Sequence, residues 1–164
     1  MDEALLYGDT GGEMFVKAQG HVTAARCPEL KARIFARLET APAVSAVYFD
    51  LSGCEYMDST FLGLIVGANK RFKALSGRTL RVLHANPTCL GLLRTIGVTR
   101  LVEISNDEVP FPQSMETIGP GPRATAEFIL DAHEQLSEIS DENRARFTTL
   151  TKALKDSLGK QGGD

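Results

Sequence analysis

The feature that most constrains the fold is an alternation of two periodicities between residues 24 and 104. Amphipathic segments of helical spacing begin near Ala24, after Asp58 and at Asn86. Each is followed by a short run rich in β-branched and aliphatic residues, namely 45–53, 79–85 and 101–104. This alternation is typical of crossover units, in which helices pack on a common sheet. The chain is therefore predicted to be an α/β protein.

Local signals support the predicted element boundaries. Residues 4–20 contain two short apolar runs around the turn signal GDTGG, which predicts a hairpin before the first helix. Pro28 suits the first turn of that helix. Asn86 is a suitable N-cap for the last helix of the alternation, and Gly97 is suited to end it.

Composition excludes several classes of function. The net charge is −3 and the isoelectric point is about 5.7, so there is no basic surface of the kind that nucleic acid requires. No apolar run approaches the roughly 20 residues that span a bilayer. The first residues, MDEALLYGDT, are acidic and do not resemble a signal peptide. We expect a cytoplasmic protein with neither a nucleic-acid nor a membrane partner.

The three cysteines do not indicate a metal site or a disulfide framework. Cys27, Cys54 and Cys89 are odd in number and lack CxxC or Cys/His spacing. Free cysteines are most often buried, so reduced core thiols are expected. No P-loop, GxGxxG or HExxH pattern occurs in a suitable context, and we expect neither a metal nor another cofactor.

The chain changes character after Ile104. Residues 106–123 hold four of the seven prolines and predict a linker with little regular structure. Residues 124–158 contain no Gly or Pro and carry apolar residues at steps of three or four, which predicts a helical extension. Residues 159–164 are predicted to be disordered.

Two arrangements of the helical extension are possible. A single helix of about 35 residues would pair with a second copy of the chain, with Asn143 in the seam. Alternatively the helix breaks near Ile139, Ser140 caps a second helix, and the two halves fold back. The uninterrupted spacing and the order of acidic before basic residues favour the homodimer.

The stretch YMDSTFLGLIV, residues 56–66, carries the strongest functional signal. Asp58 is expected to cap the following helix, and on the simplest interpretation Ser59 and Thr60 are ordinary first-turn residues. Gly63 and Gly67, however, lie four residues apart inside a helix, where glycine is unfavourable, so a partner's backbone is expected to approach there. Phe61 is expected to be exposed and to anchor that partner.

The hydroxyls of this stretch also sit where a phosphate is favourable. Free amides and the positive end of the helix dipole would meet its charge of about −1.5 to −2. A hydrolase built on Ser59 would instead need an oriented histidine base. No spacing connects His21 or His84 to Ser59. We therefore expect that the protein is not an enzyme.

Residues 3–105, and above all the Asp-Ser-Thr helix start followed by Leu-Gly, resemble the STAS domain of bacterial anti-sigma factor antagonists. The resemblance implies a mixed sheet of about five strands with helices packed on it, to which the C-terminal helical extension is added. It also implies phosphorylation of Ser59, with Asp58 and Thr60 as neighbours of the acceptor. The implied partners are an anti-sigma factor that is a serine kinase of the histidine-kinase-like ATPase fold, and a PP2C-type phosphatase.

The sequence departs from that family at two places that usually contact the partner. Phe61 replaces a common Gly, and the stretch from Gly20 to Thr23, which includes His21, replaces Gly-Glu-Leu-Asp. The implied function is a phosphorylation-controlled binding switch that sequesters the anti-sigma kinase when it is unphosphorylated. The alternative is a scaffold or adaptor that assembles through the helical extension without phosphorylation.

Overall fold

The computed structural model describes residues 3–121 and 123–162. The strands are β1 (Ala4–Thr10), β2 (Glu13–Val22), β3 (Ala46–Met57), β4 (Arg81–Leu83), β5 (Glu103–Ser105) and β6 (Glu116–Ile118). The helices are α1 (Cys27–Leu38), α2 (Ser59–Ser76), α3 (Pro87–Ile96), α4 (Ala126–Ser137) and α5 (Asp141–Gly162). None of the described helices is both long enough and apolar enough to cross a membrane.

The strands form one mixed sheet in the order β5-β4-β3-β2-β1-β6. The β1–β2 hairpin is antiparallel, whereas β2, β3, β4 and β5 are successive parallel neighbours. This arrangement confirms the predicted α/β class and the mixed sheet. The hairpin, the helix starts at Pro28 and Asn86, and the helix end at Gly97 also lie where the sequence indicated.

The core lies between the sheet and the helices. Met14 and Val16 of β2 and Phe49 of β3 face it, and all three are fully buried. The three cysteines are free and fully buried as expected, and burial raises the pKa of the Cys27 thiol well above its usual range. These thiols therefore behave as small core side chains.

The segment 106–115 crosses the other face of the sheet. Phe111 packs on Phe15 with ring centroids 4.9 Å apart, and Phe15 stacks on Tyr48 at 5.4 Å. Residues 116–118 then form β6, which pairs antiparallel with residues 5–7 of β1. The prediction of a linker with little regular structure is therefore wrong for β6. A sixth strand covers part of an edge that would otherwise offer unpaired backbone groups.

The helical extension is a folded-back pair, and the prediction of one long helix is wrong. The first helix ends at Ser137, and Ser140 Oγ accepts a hydrogen bond from the Asn143 amide at 3.1 Å at the start of the second helix. α4 packs against α2, and α5 returns along α4. The apolar stripe is thus covered largely within the chain, and a homodimer through the tail remains only a prediction.

Asn143 was predicted to lie in the seam of a helix dimer, but its side chain makes its hydrogen bonds within the chain. Its side-chain amide donates to the carbonyls of Ile96 and Leu136, at 2.7 and 2.8 Å, and its oxygen accepts from Arg146. Because the residue is 1% exposed, this amide fixes α5 to the end of α3 rather than to a second copy. α5 continues through Gly162, so residues 159–162 are helical rather than disordered. The last two residues lie outside the described part of the chain.

Candidate functional site

Asp58 caps α2 as the sequence predicted. Its backbone is extended, and its carboxylate accepts a hydrogen bond from the Phe61 amide at 2.9 Å. The Asp58 amide in turn donates to the Val22 carbonyl, which attaches the start of α2 to the end of β2. Burial raises the pKa of Asp58, while bonds from nearby amides oppose that rise. The cap places Ser59 at the first helical position.

Ser59 is hydrogen-bonded to a histidine of the helical extension. Its Oγ lies 2.7 Å from Nε2 of His133, and Nδ1 of that ring lies 2.7 Å from the Ile129 carbonyl oxygen. A carbonyl only accepts, so Nδ1 carries a proton, and in the neutral ring Nε2 accepts from the serine hydroxyl. His133 is 2% exposed, and its ring meets Phe147 edge-on at 5.2 Å. The candidate phosphoacceptor is thus in direct contact with α4.

His133 was missed by sequence reasoning, which weighed only His21 and His84 as partners of Ser59. The separation of 74 residues gives no local signal. A weak signal did exist, because His133 directly follows Ala132 and lies one turn after Ile129, two members of the apolar stripe of α4. A histidine beside such a stripe is placed to be buried when the stripe packs.

Gly63 brings the backbones of α2 and α4 together. A Cβ at Gly63 would lie 2.7 Å from both the Cα and the carbonyl carbon of Ala132, and closer still to its oxygen. At Gly67, one turn later, a Cβ would meet only Gln135 Cγ at 3.8 Å, which is ordinary van der Waals contact. The prediction was that a partner's backbone approaches at Gly63 and Gly67, and the structure shows a close backbone approach at Gly63 but not at Gly67. The backbone that approaches there belongs to the same chain.

The expected exposure of Phe61 is wrong. Its side chain is fully buried, with its ring centroid 6.1 Å from that of Phe49 on the sheet. The sheet lies on one side of α2, and α4 covers a second side. The first turns of α2 are therefore buried almost all round, and Phe61 is a core residue rather than an exposed anchor. Thr60 is also buried, at 5% exposure.

The segment before α1 lies beside the start of α2 and remains accessible. His21 is exposed, and its Nε2 lies 3.4 Å from a Glu55 carboxylate oxygen. Thr23 is exposed as well, with its amide and hydroxyl both directed at Glu3. Tyr56, 43% exposed, lies beside His21 with ring centroids 5.9 Å apart. These side chains form a surface next to Ser59 that α4 leaves open.

The Ser59–His133 pair differs from a hydrolytic dyad in what orients the histidine. A backbone carbonyl holds Nδ1, whereas a carboxylate in that place would stabilise the charged ring. The ring is also buried, with Phe147 of α5 packed edge-on against it. This geometry is suited to holding α4 over the serine.

Comparison with known proteins places the fold in one family. Residues 5–103 match the family described as "Mlab, STAS domain". No curated protein matches the chain significantly. The matched segment ends before β6 and the two helices of the extension, so these elements lie outside the part of the chain that matches the family.

Solved structures of anti-sigma factor antagonists share this fold. The unphosphorylated form of the antagonist SpoIIAA is 18% identical, with a TM-score of 0.56 over 63% of this chain and 90% of that one. An antagonist from Mycobacterium paratuberculosis is 19% identical, with a TM-score of 0.54 over 65% and 87%. The Bacillus SpoIIAA in its phosphorylated form is 17% identical, with a TM-score of 0.51 over 63% and 92%. Because the family match covers residues 5–103, more than half of the chain, the chain belongs to the STAS domain family.

Proposed function

We propose that this protein is an anti-sigma factor antagonist, a non-enzymatic binding switch controlled by phosphorylation of Ser59. The observation that carries the proposal is the position of Ser59 at the start of α2, directly after the capping carboxylate of Asp58. The likeness in fold to antagonists, one of them solved in a phosphorylated form, supports it.

The helix start is a chemically suitable place for the modification. A kinase would transfer the γ-phosphoryl group of ATP to the Ser59 oxygen, releasing ADP and the hydroxyl proton. The phosphate would then face the positive end of α2. Thr60 is a poorer acceptor because it is buried. Because a phosphate on Ser59 would lie at the positive end of α2, the fold of the STAS domain tolerates its charge.

The same charge would control binding of a partner. At a close interface, a phosphate of about −1.5 to −2 beside the Asp58 carboxylate would repel acidic groups and lose hydration. About 1.4 kcal/mol changes affinity tenfold, so a penalty of a few kcal/mol is enough to release the partner. His21 and Thr23 lie at the open border of Ser59 and are the proposed contacts.

The proposed partner is an anti-sigma factor with serine kinase activity and the histidine-kinase-like ATPase fold. The unphosphorylated protein would sequester it in the cytoplasm, and a PP2C-type phosphatase would restore the unphosphorylated state. Gly63 and Gly67 were predicted to contact this partner too, but α4 covers Gly63, and Gly67 lies beside the Gln135 side chain of α4. Phe61 is removed from the proposed surface because it is buried.

Phosphorylation of the full chain tests the proposal. Each kinase of this class from the same genome is incubated with the protein and ATP, and the modified residue is mapped by mass spectrometry. We expect one phosphate on Ser59, loss of labelling in Ser59→Ala, and retained labelling in Thr60→Ala. Labelling that survives Ser59→Ala and disappears in Thr60→Ala would reject the assignment.

One observation favours a second candidate, a scaffold that works without phosphorylation. The Ser59 hydroxyl already has a partner in His133, and α4 packs on α2 with Ala132 and Leu136 buried. On this hypothesis the contact is structural, and protein isolated from its own cells carries no phosphate under any growth condition. Detection of phosphorylated Ser59 in such protein excludes the scaffold as the sole function.

A further inference from the structure

α4 packs over the first two turns of α2. α4 crosses them at Gly63, where only the absence of a side chain allows Ala132 to approach. Ala132, His133 and Leu136 of α4 are all buried by this packing. The surface therefore has the features of a helix-binding site, with a glycine at the crossing point and a hydroxyl at one end.

The contact at Ser59 opposes modification of that residue. A phosphoryl group adds phosphorus and three oxygens to an Oγ that lies 2.7 Å from His133 Nε2. The imidazole has little room to retreat, because the Ile129 carbonyl holds its other nitrogen and Phe147 packs on its ring. A kinase also has to surround the hydroxyl, and α4 occupies one side of it. Docking of α4 and transfer of a phosphoryl group to Ser59 are thus in competition.

Two ion pairs hold the border of α4 to the STAS domain. Lys31 pairs with Asp131 at 2.8 Å, and Lys70 pairs with Glu138 at 3.3 Å. The second pair is exposed on both sides, and such pairs contribute little to stability; Lys31 is partly buried and also lies over the Phe128 ring of α4. A helix of 12 residues is also marginal in water once it leaves its neighbours. Opening of α4 is therefore expected as a local event that leaves the STAS domain folded.

We propose that the start of α2 is a helix-binding surface occupied by the chain's own α4, and that α4 must be displaced before Ser59 is modified or a partner binds beside it. The closed chain is an autoinhibited form, with His133 as the residue that holds the hydroxyl. The consequence for phosphorylation rests on the proposed function, whereas the occupied surface does not.

The rate of thiol labelling at position 59 measures how far α4 shields this position, and the measurement needs no kinase. The probe is iodoacetamide on full-length Ser59→Cys, and the three native cysteines give little background because they are fully buried. Ser157→Cys, on an exposed part of α5, supplies the rate of an open thiol. We expect Ser59→Cys to react at least tenfold more slowly than Ser157→Cys. Equal rates would overturn the proposal.

A paired substitution tests whether α4 is the cause of the protection. Leu136→Ala removes a fully buried side chain of α4, and Leu150→Ala makes the same change at a site that is 39% exposed on α5. Leu136→Ala should raise the labelling rate at position 59 by tenfold or more, while Leu150→Ala leaves it nearly unchanged. Identical rates in the two variants contradict the proposal. If Leu136→Ala does not fold, Gly63→Ala replaces it and Gly67→Ala becomes the control.

Failure of this inference and failure of the proposed function give different results. If Leu136→Ala exposes position 59 but its Ser59 hydroxyl is never phosphorylated, the cover stands and the phosphorylation switch falls. If Leu136→Ala changes neither the rate of Ser59 phosphorylation nor, in the Ser59→Cys background, the rate of labelling at position 59, the phosphorylation switch stands and the proposed cover by α4 falls. Faster phosphorylation together with faster labelling supports both.

Discussion

Substitution of Gly63 by alanine should separate α4 from α2, and substitution of Gly67 should not. Both residues lie in the interior of α2, where replacing glycine with alanine stabilises a helix by about 1 kcal/mol. They differ in what the new methyl group meets. At Gly63 it lies 2.7 Å from two backbone atoms of Ala132, whereas at Gly67 the nearest atom is 3.8 Å away and belongs to a flexible side chain.

The cost at Gly63 follows from the distance that α4 must move. To restore ordinary contact, the two helices have to separate by about 1 Å, because packed carbon atoms lie about 3.5–4.0 Å apart. That shift stretches the 2.7 Å bond between Ser59 and His133, which contributes about 1 kcal/mol, and overpacking costs a further 1–3 kcal/mol or so. Because α2 is helical whether or not α4 is docked, the helix gain cancels, and docking of α4 should weaken by about 2–4 kcal/mol.

Hydrogen exchange of the α4 amides provides the assay, since it reports local opening. A loss of about 2 kcal/mol corresponds to exchange of residues 126–137 that is about 30-fold faster in Gly63→Ala than in wild type. Gly67→Ala should match wild type or exchange more slowly. Equal exchange in the two variants would show that the Gly63 crossing does not hold α4, and the reasoning from backbone distance would be refuted.

Four further predictions concern other parts of the structure. Phe61→Ala should lower the free energy of unfolding by about 3–5 kcal/mol in urea titrations, because the ring is buried in the core. A change below about 1 kcal/mol would show that Phe61 is not a core residue. Asn143→Ala should lower it by about 1–3 kcal/mol by leaving the Ile96 and Leu136 carbonyls without this donor, and exchange at the start of α5 should accelerate; an unchanged midpoint would contradict this. Ser59→Asp should weaken partner binding less than true phosphorylation, since it supplies one charge and no third oxygen; tighter binding in calorimetry would remove charge repulsion as the mechanism. Burial raises the pKa of Tyr7 from 10.0 to about 12, so the folded state retains its proton longer and stability falls as pH rises through this range; Tyr7→Phe should flatten the fall in thermal midpoint between these values, and an unchanged slope would refute the assignment.

Local rules were sufficient for most of the STAS domain. Asp58 and Asn86 cap helices through hydrogen bonds to amides three residues later, and these bonds require no knowledge of the rest of the chain. Gly97 ends α3 in the left-handed conformation for equally local reasons. The alternation of helical and strand periodicity along the chain then predicts the α/β class.

The errors concern contacts between distant segments. The burial of Phe61 depends on both the sheet and α4, and a helix that is covered on two sides has no single apolar face. β6 has only three residues and gains its order from pairing with β1. The sequence does contain the physical signal for a close approach at Gly63. It cannot state whether the approaching backbone is a partner or the chain itself.

The pairing of β6 with β1 has a consequence for the order in which the molecule is completed. Leu5 pairs with Ile118, so this part of the sheet cannot close until most of the chain has been synthesised. Ser59 likewise precedes His133 by 74 residues. At about 5–20 residues per second, synthesis of that interval takes about 4–15 s. In the last part of this interval, after β5 has been made, a nascent chain holds Ser59 on the STAS domain without α4 above it, in the open form that the finished protein reaches only by displacing its own helix.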